Sequence, residues 1–279
     1  MTTPDIAAAK AALAHLDLDE KPVSVRAKSR DFFWYSPVLK ARLDHVTADF
    51  VVAPKTEAEV IEVLKVSYKY TVPVTTRGTG TGNYGQAMPL AGGCILHLHR
   101  MNAVKAVHPG RVIVEPGCLL KDLDAACIAD SAQEIRMFSS TWATATIGGF
   151  IAGGSGGVGS VRWGALRNLA NIIRLSVVTM EEGPRILEFT GEELHRVSHA
   201  YGTNGIITEI EIPLAPAYDW VQLFVTLNDF ADAARFAYDL ANEDGILIKL
   251  ATVFEAPIAQ DYFQRVSPYV KPGQAVLAL

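Results

Sequence analysis

Apolar residues recur at helical spacing through residues 57–70, where Val60, Ile61, Leu64 and Tyr68 share one face, and Thr56 with Glu59 fits a capping box. The pattern predicts an amphipathic helix that leads into a β-prone run at 72–76, with further strands at 94–98, 104–107 and 111–115. Residues 119–129 read as a helix with Leu120, Leu123 and Cys127 inward. Segments 174–180 and 185–189 flank Glu181-Glu182-Gly183-Pro184 as a hairpin, followed by a helix over 192–200 that Gly202 would end and an alternating strand at 206–212. Pro213 and Pro216 then interrupt the pattern and mark a boundary. Past it, an alternating stretch at 220–227, a helix over 229–242 with Asn228 as cap and Gly245 as stop, and a strand-like 246–254 form β-α-β. A short helix around 258–266 follows, and this last unit reads as unfinished at Leu279.

Composition narrows what such a chain can do. With 279 residues, 49% hydrophobic and 20% charged, it can close a real core in one large or two modest domains. No apolar run approaches the roughly 18 residues of a membrane span, and the Ala-rich start mixes Asp, Lys and Glu instead of presenting a signal peptide, so a cytoplasmic protein is expected. A net charge of -5 argues against a nucleic-acid partner, because phosphate contacts need a basic surface. Cys94, Cys118 and Cys127 show no CxxC spacing, which leaves neither a disulfide framework nor a thiolate zinc site. His97 and His99 share a strand face without a third ligand, and His195 with His199 lacks the HExxH glutamate because Arg196 stands there, so no metal is expected.

Glycine placement is the main clue: of 22 glycines, six fall between Gly78 and Gly93 and eight between Gly148 and Gly164. Such density lets backbone approach a ligand closely. Gly80 to Gly85 satisfies GxGxxG after a strand, but the Pro- and Gly-containing stretch behind it is no helix and Asn102 stands where a ribose-binding acid is needed. Gly153-Gly154-Ser155-Gly156-Gly157 satisfies GxSxG, yet Gly157, Gly159 and Gly164 interrupt the helix that a nucleophile elbow requires. A third reading treats both loops as one dinucleotide site in which main-chain N–H groups hold a diphosphate.

Four motifs stand in order along the chain: Arg77-Gly78-Thr79-Gly80-Thr81-Gly82; Ser140-Thr141 with the IGG-containing stretch 143–157; Arg162-Trp163-Gly164; and Gly202-Thr203-Asn204-Gly205-Ile206-Ile207-Thr208-Glu209. Together they resemble the FAD-linked oxidases of the vanillyl-alcohol oxidase and p-cresol methylhydroxylase type, nearest to the glycolate oxidase and D-lactate dehydrogenase branch, over residues 51–215. The resemblance implies an α+β fold. A helical and extended segment at 1–50 would precede a two-subdomain PCMH-type FAD-binding domain at 51–215, and the start of a ferredoxin-like α+β cap domain would follow at 216–279. Carried over by position, Arg77, Gly78, Thr79, Gly80, Thr81, Gly82 and Asn83 become FAD contacts in the first loop. Ser140, Thr144, Ile147, Gly148, Gly149, Ile151, Ala152, Gly156 and Gly157 do so in the second, with Gly205, Ile206 and Ile207 along the last motif. Covalent attachment in the family uses His or Cys, whereas Thr81, Trp142 and Phe150 occupy the matching places, which implies non-covalent FAD.

The implied activity is that of a FAD-dependent oxidoreductase taking a hydride from a small alcohol or 2-hydroxy acid, such as glycolate or D-lactate, to flavin N5 and passing electrons to an acceptor. The alternative is a non-catalytic FAD-binding or electron-transfer subunit completed by another chain. No residue is assigned as catalytic, because in the family the base and the substrate-carboxylate cations come largely from the cap and later segments. A partner subunit or a missing C-terminal half would supply them.

Overall fold

The computed structural model describes residues 3–279. Its first part runs α1 (Ile6–Ala12), β1 (Leu18–Asp19), α2 (Pro22–Lys28), α3 (Pro37–Leu43), β2 (Phe50–Val52), α4 (Glu57–Lys69), β3 (Val74–Arg77) and β4 (Cys94–His97). These strands form a sheet of order β1-β2-β4-β3 in which β2, β4 and β3 are parallel and β1 is antiparallel. Strand alternation sorts the two faces. Phe50, Val52, Cys94 and Leu96 pack with Val60, Val63 and Leu64 of α4, while Val51 and Ile95 pack with Val25 of α2. The Thr56 hydroxyl accepts from the Glu59 N–H at 3.2 Å, and the Glu59 carboxylate accepts from Lys55 N–H at 2.7 Å, so the capping box closes one residue earlier than its usual form.

The second part comprises β5 (Val104–His108), β6 (Arg111–Val114), α5 (Leu120–Ser131), β7 (Gln133–Ile135), α6 (Ile147–Gly153), α7 (Ser160–Trp163), β8 (Arg174–Val178), β9 (Ile186–Thr190) and β10 (Ile206–Pro216). The strands make an antiparallel sheet of order β5-β6-β10-β8-β9, with β7 also on β10. The expected hairpin is β8 with β9. Val178 and Ile206 join the core under α4, which welds the two sheets together.

Two expectations change in this part. The helix over 192–200 is only a short 3-10 segment, Gly191–Arg196. His199 and Tyr201 instead take φ of 57° and 51°, and their N–H groups reach the carbonyls of Ile151 and Ala152 near the end of α6, each at 3.0 Å. Closing another helix has won over continuing this one. Pro213 does not interrupt β10 either. It falls in the gap between the last pairing with β8, at Glu211, and the first with β7, at Leu214, where a missing N–H costs the ladder little.

The chain continues through β11 (Phe224–Leu227), α8 (Phe230–Ala241), β12 (Thr252–Phe254), α9 (Ile258–Tyr262) and β13 (Ala275–Ala278). The order β11-β13-β12, with β13 antiparallel to both neighbours, is a split β-α-β. The helix is capped by Asp229, whose carboxylate accepts from Asp232 N–H at 2.8 Å, and not by Asn228. Neither flanking strand is as long as its pattern suggests. Trp220 turns away to hydrogen-bond Glu134 on β7, and Lys249 does the same from the other side, so those residues serve docking and not pairing. Among the described residues no helix is long and apolar enough to cross a membrane.

Candidate functional site: a glycine-walled cleft

A cleft opens at the carboxyl ends of the parallel strands β3 and β4, where open α/β sheets place their ligands. Its first wall is the loop from Arg77 to Gly82, and its second is the start and inner side of α6, including Thr146, Gly148, Gly149 and Ala152. Gly205 and Ile207 of the β10 region close it from a third side, beside Val197 and Tyr201.

Local chemistry explains why these residues stand here. Gly80 has φ +73°, and a Cβ there would fall on the Arg77 guanidinium, so the loop needs glycine both for its turn and for room. A Cβ on Gly148 would lie 2.6 Å from the Pro116 ring and 2.8 Å from its carbonyl oxygen. The loop is strapped from outside by residues that the glycine pattern does not flag. Asp31, 4% exposed, accepts from the N–H groups of Phe33 at 2.8 Å and Gly85 at 2.9 Å, and Phe32 N–H donates to the Gly82 carbonyl at 2.8 Å. Burial raises the Asp31 carboxyl above its ordinary value, against those hydrogen bonds and the nearby Arg77 charge. Burial likewise lowers the Arg77 guanidinium, while Asp31 opposes the shift.

Several polar groups on this wall lack partners. One Arg77 nitrogen donates to the Thr79 carbonyl at 3.1 Å, but its Nη1 and the Thr79 hydroxyl are buried with none. The N–H groups of Thr79, Gly80, Thr81 and Gly82 have no acceptor among the described residues. A run of free main-chain donors beside a buried cation is the donor set an anionic diphosphate satisfies, and it fits FAD. The second wall differs: Gly148 N–H is engaged by Pro116 at 2.9 Å and Gly149 N–H by the Thr146 hydroxyl at 3.1 Å. It offers close approach rather than free donors.

Of the positions carried over by resemblance, Arg77, Gly78, Thr79, Gly80, Thr81, Gly82, Gly148, Gly149, Ala152, Gly205 and Ile207 line this one cleft. Ile147, Ile151 and Ile206 point into the cores, at 1%, 0% and 5% exposure. Asn83, Ser140, Thr144, Gly156 and Gly157 lie outside the lining. A Cβ on Gly157 would collide with the Phe138 carbonyl, so that glycine serves a close approach of the chain to itself. The GxSxG stretch follows a helix instead of a strand, which removes the elbow context from Ser155. Asp31, Gln86, Thr146 and Tyr201 reach the cleft without a sequence signal of their own, although Thr146, as the residue before an apolar helix start, fits an N-cap.

His97 closes β4 beside the cleft, its ring stacked on His99 with centroids 4.0 Å apart and its Nδ1 buried without a partner. Desolvation, then the charges of His99, Arg77 and Lys28, bring its pKa down from 6.5 to about 3. The unfolded chain therefore binds a proton that the folded one refuses across that window, and stability falls as pH drops through it. In thermal melts between about pH 6.5 and 4, His97→Asn is expected to lose less stability than the wild-type protein. Equal losses would show that His97 does not titrate against folding.

Residues 48–186 match the model of the FAD binding domain family. The chain is 32% identical over 182 residues to an uncharacterized FAD-linked oxidoreductase of Mycobacterium tuberculosis, covering 61% of this chain and 38% of the relative. It is 29% identical over 228 residues to a D-lactate dehydrogenase of Archaeoglobus fulgidus, covering 78% and 49%. The chain thus spans less than half the length of these curated relatives. Among solved structures, an alkyldihydroxyacetonephosphate synthase superposes with a TM-score of 0.75 at 17% identity, over 100% of this chain and 55% of that one, which establishes the shared α+β fold. With the glycine-walled cleft, the matched domain and these relatives in agreement, the chain belongs to the FAD-linked oxidase family and its cofactor is FAD.

Proposed function

We propose that the protein is a dehydrogenase or oxidase acting on the CH–OH group of a small 2-hydroxy acid such as D-lactate or glycolate, with non-covalent FAD in the cleft. The observation that supports this most directly is the set of unpartnered donors on the first loop: four N–H groups, Arg77 Nη1 and the Thr79 hydroxyl. Bound FAD would supply the hydride acceptor. The chain's own residues would do the holding. Arg77 would offset diphosphate charge, the 79–82 backbone would donate to its oxygens, and Leu98, Pro116, Ala152, Val197 and Ile207 would keep water from the ring system.

A carrier or electron-transfer subunit, completed by further polypeptide, is the second reading, and one feature favours it. The ionisable side chains lining the cleft are Asp31, Arg77 and Tyr201, and Asp31 is already spent on the loop. No free base faces the cleft among the described residues.

The visible spectrum of the gently purified protein is the test. A yellow protein that releases its colour on denaturation is expected, with anaerobic bleaching by D-lactate or glycolate. A flavoprotein that stays yellow with every 2-hydroxy acid tried would point to the carrier.

A further inference from the structure

Two bulky residues hold left-handed backbone at the cleft edge. His199 has φ 57° and Tyr201 φ 51°, a region that ordinary L-residues avoid and glycine enters freely. Their N–H groups donate to the carbonyls of Ile151 and Ala152, a task glycine performs equally well. The main chain therefore does not explain why His and Tyr stand there. Their side chains do make a specific pair: His199 Nε2 and the Tyr201 hydroxyl are 2.9 Å apart, and the rings meet edge to face with centroids separated by 5.3 Å. Strain kept at a cleft in exchange for a fixed side chain is how binding sites are commonly built.

We infer that Tyr201, held by His199, stacks an aromatic ring of the bound dinucleotide. The inference rests on the cleft being the FAD site. Tyr201 lines that cleft and is 41% exposed, so its ring is not consumed by core packing. Its hydroxyl is committed to His199, which leaves the flat face of the phenol as the feature it presents. FAD offers two matching partners, adenine and isoalloxazine. His199 is a positioning residue in this arrangement.

Titration of the flavin-free protein with FAD and with ADP, together with thermal melts of the same samples, tests the inference. Tyr201→Gly is expected to weaken FAD binding by about 10- to 100-fold, the range of one lost base–aromatic stack. Its melting temperature without flavin should stay equal or rise, because glycine relieves the backbone. His199→Gln, which frees the phenol, should weaken FAD by a smaller factor. An equal loss for ADP puts the ring on adenine, and an unchanged ADP affinity puts it on isoalloxazine. Tyr201→Gly that binds FAD like the wild-type protein, or that weakens only in step with a falling melting temperature, overturns the inference. Wild-type protein that takes up no FAD would overturn the cleft assignment as well, so the two failures are distinguishable.

Discussion

Gly78→Ala is expected to lower FAD affinity by roughly 30- to 100-fold, about 2–3 kcal/mol, without unfolding the protein. Gly78 follows β3 and faces the N-cap of α6, so a Cβ there would run into the Thr146 hydroxyl oxygen. That oxygen cannot move freely, because it caps α6 through Gly149 N–H at 3.1 Å, and losing such a cap costs about 1 kcal/mol. The substitution must either push the first wall of the cleft outward, spoiling the run of free donors, or rotate Thr146 and release the helix. Thr146→Ala removes the obstructing oxygen and leaves its Cβ at 3.4 Å, an ordinary contact. The double variant should therefore bind FAD more tightly than Gly78→Ala alone, at the cost of the cap. FAD titrations on all four proteins of the cycle check this. Strictly additive losses would mean that the two walls do not meet at this point.

That interlock also marks where local sequence information stops. The first loop was legible because Arg77, Gly78, Gly80 and Gly82 follow a β-prone run, and both the turn at Gly80 and the space for Arg77 depend on glycine. In the second cluster the same density misleads in part. Gly157 and Gly159 exist so that the chain can pass the carbonyls of Phe138 and Arg136, and a single sequence does not distinguish approach to a ligand from approach to itself. Asp31 was invisible for another reason: its hydrogen bond to Gly85 spans 54 residues, and no periodicity encodes a contact at that range. Helix α6 hid behind Gly148, Gly149 and Gly153, poor helix formers that tertiary packing of Ile147 and Ile151 overrides. The elements read well, α4, α5 and the β8–β9 hairpin, are those whose stabilising contacts repeat at short intervals.

Long-range polar contacts also decide how the last sheet is held, and there the expected effect is large. Lys249→Met should destabilise the protein by about 3–5 kcal/mol, the usual cost of orphaning a buried charge. The Lys249 ammonium lies 2.7 Å from Glu134 and also reaches the Ile135 carbonyl at 3.3 Å, with the two side chains only 12% and 7% exposed. Trp220 donates its indole N–H to both carboxylate oxygens, at 3.0 and 2.9 Å, and the ammonium sits 5.2 Å from the Phe138 ring centre. Both Trp220 and Lys249 belong to the chain after β10, while Glu134 and Phe138 belong to the second sheet and its following segment, so one cluster fixes the split β-α-β unit in place. Methionine keeps most of the lysine stem's packing and removes only the charge, leaving Glu134 with the single indole donor. Adding Glu134→Gln removes the stranded charge as well, and the double variant should recover to within about 1–2 kcal/mol of wild type. Thermal melts give the energies, and limited proteolysis between β10 and β12 reports undocking. If Lys249→Met alone melts like the wild-type protein, the pair is not buried in solution, and docking at this point rests instead on the main-chain bond from Gly159 N–H to the Lys249 carbonyl at 2.8 Å, which the substitution leaves in place.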